Sequence, residues 1–186
     1  MDYLALCKRV RDRCGIQGDG PAAVTGQSGI LKYIVDAVAR AYVDVQNESD
    51  AWDFRWARFE FSTTANSRDY DVSATAIDRL SEQNLTCYDT AGDGETGEWR
   101  LIYRSYALFK AMFELGTIQT GSPQYITVLP SGSVRLYPTP DADTYKVQGD
   151  YYRMPDEFSS STSTPILPSK YHELIVLKAM VDVGTH

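Results

Sequence analysis

Residues 31–61 read LKYIVDAVARAYVDVQNESDAWDFRWARFEF, and a change of period inside this stretch decides the fold class. Leu31, Ile34, Val35, Val38, Tyr42 and Val45 recur at three- and four-residue spacings, which lines them along one face of an α-helix. After Ser49 the spacing falls toward two, through Trp52, Phe54 and Trp56 to Phe59 and Phe61, the pattern of extended chain with one side buried. Ser28 stands where an N-cap belongs, so the helix is predicted from there to about Ser49. A helix therefore hands over to β structure within a dozen residues.

Working outward, Tyr3, Cys7, Val10 and Cys14 make a helical stripe widened by Leu4 and Leu6, and Gly15 is its stop. A glycine-rich loop follows over 16–29. Downstream, strands are predicted at 85–88 and 99–103 around the Gly92-Asp93-Gly94 turn. A compact helix over 105–115 carries Tyr106, Phe109 and Phe113 on one side, with strands at 125–129, 134–137 and 145–152 after it. The polar run 159–164 reads as a surface loop or flexible tether. From Ser169 a last helix bears Leu174, Ile175, Leu177, Ala179, Met180 and Val181; apolar nearly all round, it requires cover from the core or a partner. The order predicts an α+β fold, a helical bundle with a β-rich insertion. Its parts are a helical pair over 1–56, the insertion with its one helix over 57–155, and a Ser/Thr/Pro loop plus C-terminal helix over 156–186, together one compact domain.

Composition narrows the function. With 43% hydrophobic and 23% charged residues among 186, the chain is globular rather than disordered, and long enough for a real core. A formal charge of −7 argues against coating nucleic acid through a basic surface. Residues 66–98 hold eight acids against two arginines, nearly the whole imbalance. No apolar run is long enough to span a membrane, the N-terminus is unlike a secretory signal, and three cysteines do not make a disulfide framework. The expectation is a soluble, acidic protein made in a reducing cytoplasm.

Motifs for catalysis or cofactors fall short. Gly15, Gly18 and Gly20 are not spaced as a dinucleotide fingerprint, no strand precedes them, and no Gly-Lys-Ser/Thr follows, so a plain inter-helix connection is the better reading. Gly26-Gln27-Ser28-Gly29 places its second glycine one position early for a nucleophile elbow. His172-Glu173 opens like a zincin helix, but Val176 occupies the place of the second histidine; His172 reads as helix-surface polarity, and with His186 the only other histidine a zinc site is not expected. Cys7 and Cys14 on one helical face read as small core residues. Asp89-x-Ala91-x-Asp93-Gly94 resembles half a calcium loop with Arg100 where the bidentate acid belongs. No catalytic, metal or cofactor-binding residue is assigned.

Two features suggest contact with proteins. Lys8, Arg9, Arg11 and Arg13 crowd the first helix, either meeting phosphates or an acidic partner, or forming a solvated face in which Asp12 pairs with Lys8. Thirteen tyrosines, among them Tyr125, Tyr137, Tyr145, Tyr151 and Tyr152, suit either an interface or half-buried sheet packing.

The chain resembles the head-to-tail adaptor (connector) family of tailed bacteriophages. The likeness runs through Tyr3-Leu4, Cys7, Arg9-Val10-Arg11, Cys14-Gly15-Ile16, Gly20-Pro21, Gly26-Gln27, Ala41-Tyr42, Asp44-Val45-Gln46, Trp52 and Trp56. It resumes at Gly132, Leu136-Tyr137-Pro138, Gly149-Asp150-Tyr151-Tyr152-Arg153-Met154-Pro155, Leu167-Pro168 and Tyr171-His172, and is loosest over 62–98. The resemblance implies a structural virion protein at the head-tail junction, forming a ring, typically a dodecamer, between portal protein and tail or neck proteins and extending the DNA channel. It implies no cofactor and no enzymatic activity, with packaged DNA passing through unbound. It maps portal contact onto Lys170, Tyr171, His172 and Lys178, although family members usually continue this last helix further. Subunit contacts are then expected from Arg9, Arg11, Arg13, Tyr151 and Tyr152. Asp89, Asp93, Glu95 and Glu98 become candidates for an acidic channel lining that repels phosphate. Two other classes stand beside this reading: a phage-borne hydrolase with a carboxylate site in residues 66–98, and a host-directed binding module.

Overall fold

The computed structural model describes residues 1–49, 51–72 and 76–185; Asp50, residues 73–75 of the acidic stretch and His186 lie outside the described residues. The fold is α+β, with helices α1 (Tyr3–Arg13), α2 (Gly29–Asn47), α3 (Tyr106–Phe113) and α4 (His172–Gly184). The chain divides into two compact units, one of residues 1–55 with 155–186, the other of residues 56–154.

In the first unit α1, α2 and α4 share one apolar core. Leu6, Cys7 and Val10 of α1 meet Ile34, Val38 and Tyr42 of α2 and Ile175, Val176 and Ala179 of α4, all buried. Asp2 caps α1, its Oδ1 accepting from the Ala5 N–H at 2.8 Å, and Gly15 follows the helix at φ +68°, where only glycine is unstrained. Ser28 precedes α2 without a side-chain capping bond. Phe158 is sandwiched between Tyr3 and Tyr42, with both ring centroids at 4.2 Å.

The polar run beside that sandwich is no free tether. Ser161 and Ser163 accept from the backbone N–H groups of Leu4 and Tyr3, and Ser161 Oγ accepts from Val24 N–H. These serines satisfy the orphan donors at the start of α1. The expected extended run from Trp52 is also corrected: Asp53–Arg55 is a 3₁₀ turn. The Trp52 indole donates to Val45 O at 3.0 Å and stacks on Phe54, folding the chain back onto the end of α2 before the first strand begins.

Gln46 organises that corner. Its Nε2 donates to Asp156 O at 2.9 Å and to Tyr42 O at 3.1 Å, while its Oε1 accepts from the Asp156 N–H at 2.8 Å. Its backbone oxygen accepts from the guanidinium of Arg55, a buried arginine. One buried glutamine thus ties the residue at which the chain leaves this unit to the segment by which it returns.

In the second unit, β9 (Tyr145–Arg153) is the axis of one sheet. β1 (Trp56–Ser62) pairs antiparallel with it along one side, placing Phe59 opposite Gly149. On the other side run β3 (Ile77–Leu80) and then β4 (Thr86–Asp89), with β5 (Trp99–Arg100) beyond β4. The second sheet is ordered β2 (Asp69–Tyr70), β8 (Val134–Tyr137), β7 (Tyr125–Val128), β6 (Ile102–Tyr103), antiparallel except for the β6–β7 pair. Phe59, Cys87 and Val147 of the first sheet, with Leu85 just before β4, share a core with Ile126, Val134 and Leu136 of the second. β2 and β3, inside the acidic stretch, escape a periodicity reading because few apolar residues mark them. Val72, Ile77 and Leu80 are the buried anchors there.

Candidate functional site

Three of the four basic residues clustered on α1 find partners inside their own unit. Arg9 and Arg13 both pair with Glu173 in the first turn of α4, Arg9 Nε at 3.0 Å. Arg11 donates to the carbonyl oxygens of Gly18 and Gly20, each at 2.7 Å, and pairs with Asp12, so the acid serves Arg11 rather than Lys8. Arg11 thereby pins the glycine-rich loop and is only partly exposed. Arg9 and Arg13 keep an exposed side.

At the start of α4, Lys170 lies over the ring of Tyr171 at 4.8 Å, and both residues are exposed. His172 is not surface polarity: it is buried, with Nε2 3.0 Å from Leu167 O and Nδ1 2.9 Å from the Met1 amino group. The neutral tautomer protonated at Nε2 satisfies both, making His172 an internal strut rather than a contact residue. Lys178 pairs with Glu48, the residue that caps the end of α2. Residues assigned separately to portal and subunit contact thus meet, since Arg9 and Arg13 hold the residue next to His172.

The acidic candidates gather on the β4–β5 turn. Asp93, Glu95 and Glu98 are exposed and Asp89 is half-buried. Hydrogen bonds from the Thr144 side chain and the Ala91 N–H hold the Asp89 carboxyl below the usual carboxylate range, the opposite of what a general acid requires. Glu98 accepts from Gln148 Nε2 at 2.7 Å, and Gln148 accepts from Arg58. Among the described residues no cation forms an ion pair with Asp93 or Glu95, and no three of His, Cys, Asp and Glu gather as metal ligands.

The tyrosines serve mainly as packing. Tyr151 is buried in the sheet core, which removes it as a contact residue, and Tyr152 lies half-buried beneath the Arg79 guanidinium at 4.8 Å. Tyr125 and Tyr137 hold α3 to the second sheet, where the Phe113 ring stacks on Tyr137 at 4.2 Å and lies 4.6 Å from Tyr125.

Two exposed apolar surfaces stand apart from these candidates, one of them on the last helix, whose all-round apolar sequence calls for cover. Leu174, Leu177 and Val181 form an exposed stripe on α4, and Leu108, Met112 and Leu115 form another on α3 and its end. The signal was present in α3, YALFKAMF, whose residues are apolar on both faces although one face suffices for the core. Between α2 and α4 runs a groove of about 670 Å³, lined by Ala41, Val45, Leu174 and Val181. Arg40–Asp182 and Glu48–Lys178 ion pairs stand along it, with Asp44 between them.

Comparison with known proteins matches residues 1–184 to the family described as SU10 adaptor protein. No curated protein matches the chain.

Proposed function

The chain belongs to the SU10 adaptor protein family of bacteriophage structural proteins, and from that premise we propose that it joins portal to tail as a ring at the head-tail junction of its virion. The observation that carries the reading is the extent of the match, 1–184, which takes in both compact units and every helix and strand. The ring is a dodecamer, contacting portal protein on one side and tail or neck proteins on the other.

The portal-facing candidates are Lys170 and Tyr171, exposed just before α4, and Lys178, partly exposed further along it. Arg9 and Arg13 present their free sides next to Glu173 and are candidates for an acidic neighbour. The turn carrying Asp89, Asp93, Glu95 and Glu98 faces the DNA channel. Like charge keeps phosphate off its surface, so the genome passes without sticking. No described helix is long and apolar enough to cross a membrane.

The deciding experiment mixes the purified chain with the portal ring of the same phage and records native mass. A step of one copy per portal subunit supports the adaptor ring. No complex across a salt range overturns it. Replacing Asp89, Asp93, Glu95 and Glu98 by their amides should slow genome ejection; ejection at the wild-type rate removes the channel-lining role alone.

A further inference from the structure

β1 is the longest outer strand of either sheet and the least protected. Its seven residues pair with β9 in unbroken register, from Trp56 opposite Tyr152 to Ser62 opposite Lys146. Its other edge meets no strand among the described residues. The remaining outer strands are short or irregular: β2, β5 and β6 have two residues each, and β3 shifts register between Ile77 and Arg79. Natural sheets guard a long edge with proline, lysine or a bulge, because a free row of N–H and C=O groups is a template for another strand. β1, WARFEFS, has none of these.

The register fixes which groups face outward. The Thr63 N–H donates to Tyr145 O, so in an antiparallel pair Phe61, Phe59 and Ala57 also turn their backbone groups toward β9. Trp56, Arg58, Glu60 and Ser62 turn theirs away. All four are exposed, and their backbone groups form no hydrogen bond among the described residues.

We propose that β1 of one copy pairs antiparallel with β1 of a second copy, about a two-fold axis at Phe59, joining their first sheets into one. An outward residue bonds only to an outward residue, so the available registers differ by steps of two. Placing Arg58 opposite Arg58, or Glu60 opposite Glu60, sets like charges together and destabilises the pair. The register between these sets Arg58 opposite Glu60 on both sides of the axis, and Trp56 opposite Ser62. It alone engages all four outward residues, each exchanging both main-chain hydrogen bonds with the residue opposite. Among the described residues Arg58 makes one side-chain hydrogen bond, to Gln148, and Glu60 one ion pair, through Oε1 to Lys146, so each keeps capacity for the facing strand. This charge self-complementarity selects a second copy over a foreign strand. A two-fold contact uses one patch on each copy and closes on itself. It therefore belongs to the free subunit and stands apart from the ring contact, which needs two patches. The contact is small and held by main-chain bonds, as in other strand additions, so the pair forms at high protein concentration.

Charge reversal tests the pairing. Arg58→Glu sets Glu against Glu in this register, and Glu60→Arg sets Arg against Arg. In sedimentation equilibrium at rising concentration, wild type should form dimers. Each variant alone should dimerise about tenfold more weakly, and an equal mixture of the two should recover the wild-type affinity. The double variant Arg58→Glu/Glu60→Arg restores opposite charges within one chain and should dimerise like wild type, which separates lost pairing from lost folding. In the wild-type dimer, amide exchange should slow at Arg58, Glu60 and Ser62, while Ala57, Phe59 and Phe61, already bonded to β9, stay as in the monomer. A wild type that remains monomeric at every concentration overturns the pairing. So does dimerisation of either single variant like wild type, a mixture no stronger than its parts, or a dimer in which the Arg58 and Glu60 amides exchange as fast as in the monomer.

Discussion

The ring of Phe59 closes over Gly149, its cross-strand partner in the β1–β9 pair, so tightly that position 149 has no room for a side chain. A Cβ there would lie 2.8 and 2.9 Å from two atoms of the phenyl ring and 2.5 Å from Leu85 Cδ2. The glycine is required by space rather than by backbone angle. Gly149→Ala should cost roughly 1–3 kcal/mol through overpacking, read as a lower urea midpoint. Phe59→Leu in the same chain should return part of the loss.

Thiol chemistry should separate the three cysteines. Burial pushes the Cys7 and Cys87 thiols up to about 12, so at pH 8 almost none of either is thiolate. Cys14, at the end of α1, is partly exposed. One equivalent of iodoacetamide should react quickly with the native protein and three after denaturation. A second fast equivalent would mean that α1 lifts from its core under native conditions.

Arg135 of β8 pairs with Asp69 of β2 and with Glu114 at the end of α3, tying three elements together. Its hydrogen bond holds the Asp69 carboxyl below its ordinary 3.8. Because the folded value is the lower one, this stabilisation is present above pH ~4 and is lost as the pH falls through that range. Arg135→Met should therefore cost about 1–2 kcal/mol at neutral pH. The gap to wild type should narrow below pH 4. A gap that stays constant across the titration would show that Arg135 acts through packing alone.

Gln46→Met keeps the volume of the side chain and removes its hydrogen bonds. The Asp156 N–H and C=O, whose partner among the described residues is that amide, lose it at a cost of about 1–3 kcal/mol. Proteolysis should then cut first between residues 155 and 164; cleavage no faster than in wild type would mean that Asp156 is held by other means.

Which parts of this could be read from residues alone follows from what periodicity reports. Ile34, Val38 and Tyr42 announce α2 because a helix must bury one stripe, and Val134 and Leu136 announce β8 because a strand must bury alternate residues. Period is silent about specific polar bonds. The Trp52 indole bond to Val45, the serines that hold the start of α1, and the burial of His172 are single hydrogen-bond events between residues distant in the chain. The partners of the basic cluster escape the sequence for a related reason: Glu173 and the Gly18 and Gly20 carbonyls that engage Arg9, Arg11 and Arg13 are not marked by any spacing in the chain. Tyr151 and Tyr152 alternate, so one had to be buried, but only the sheet topology says which. The α3 stripe was passed over because Phe109 and Phe113 already accounted for that helix's core face.

The corner at Gln46 has one more consequence. To the helical unit, everything between Arg55 and Pro155 is a closed loop whose two ends are already knotted at a buried amide. The entropy of closing a loop rises only with the logarithm of its length, about 0.6 kcal/mol for each doubling. Lengthening or shortening the insertion therefore changes the folding cost of the helices very little, provided the knot is kept. A β-rich segment of quite different size can stand in that place so long as Gln46, Arg55 and Asp156 hold the same point of departure and return.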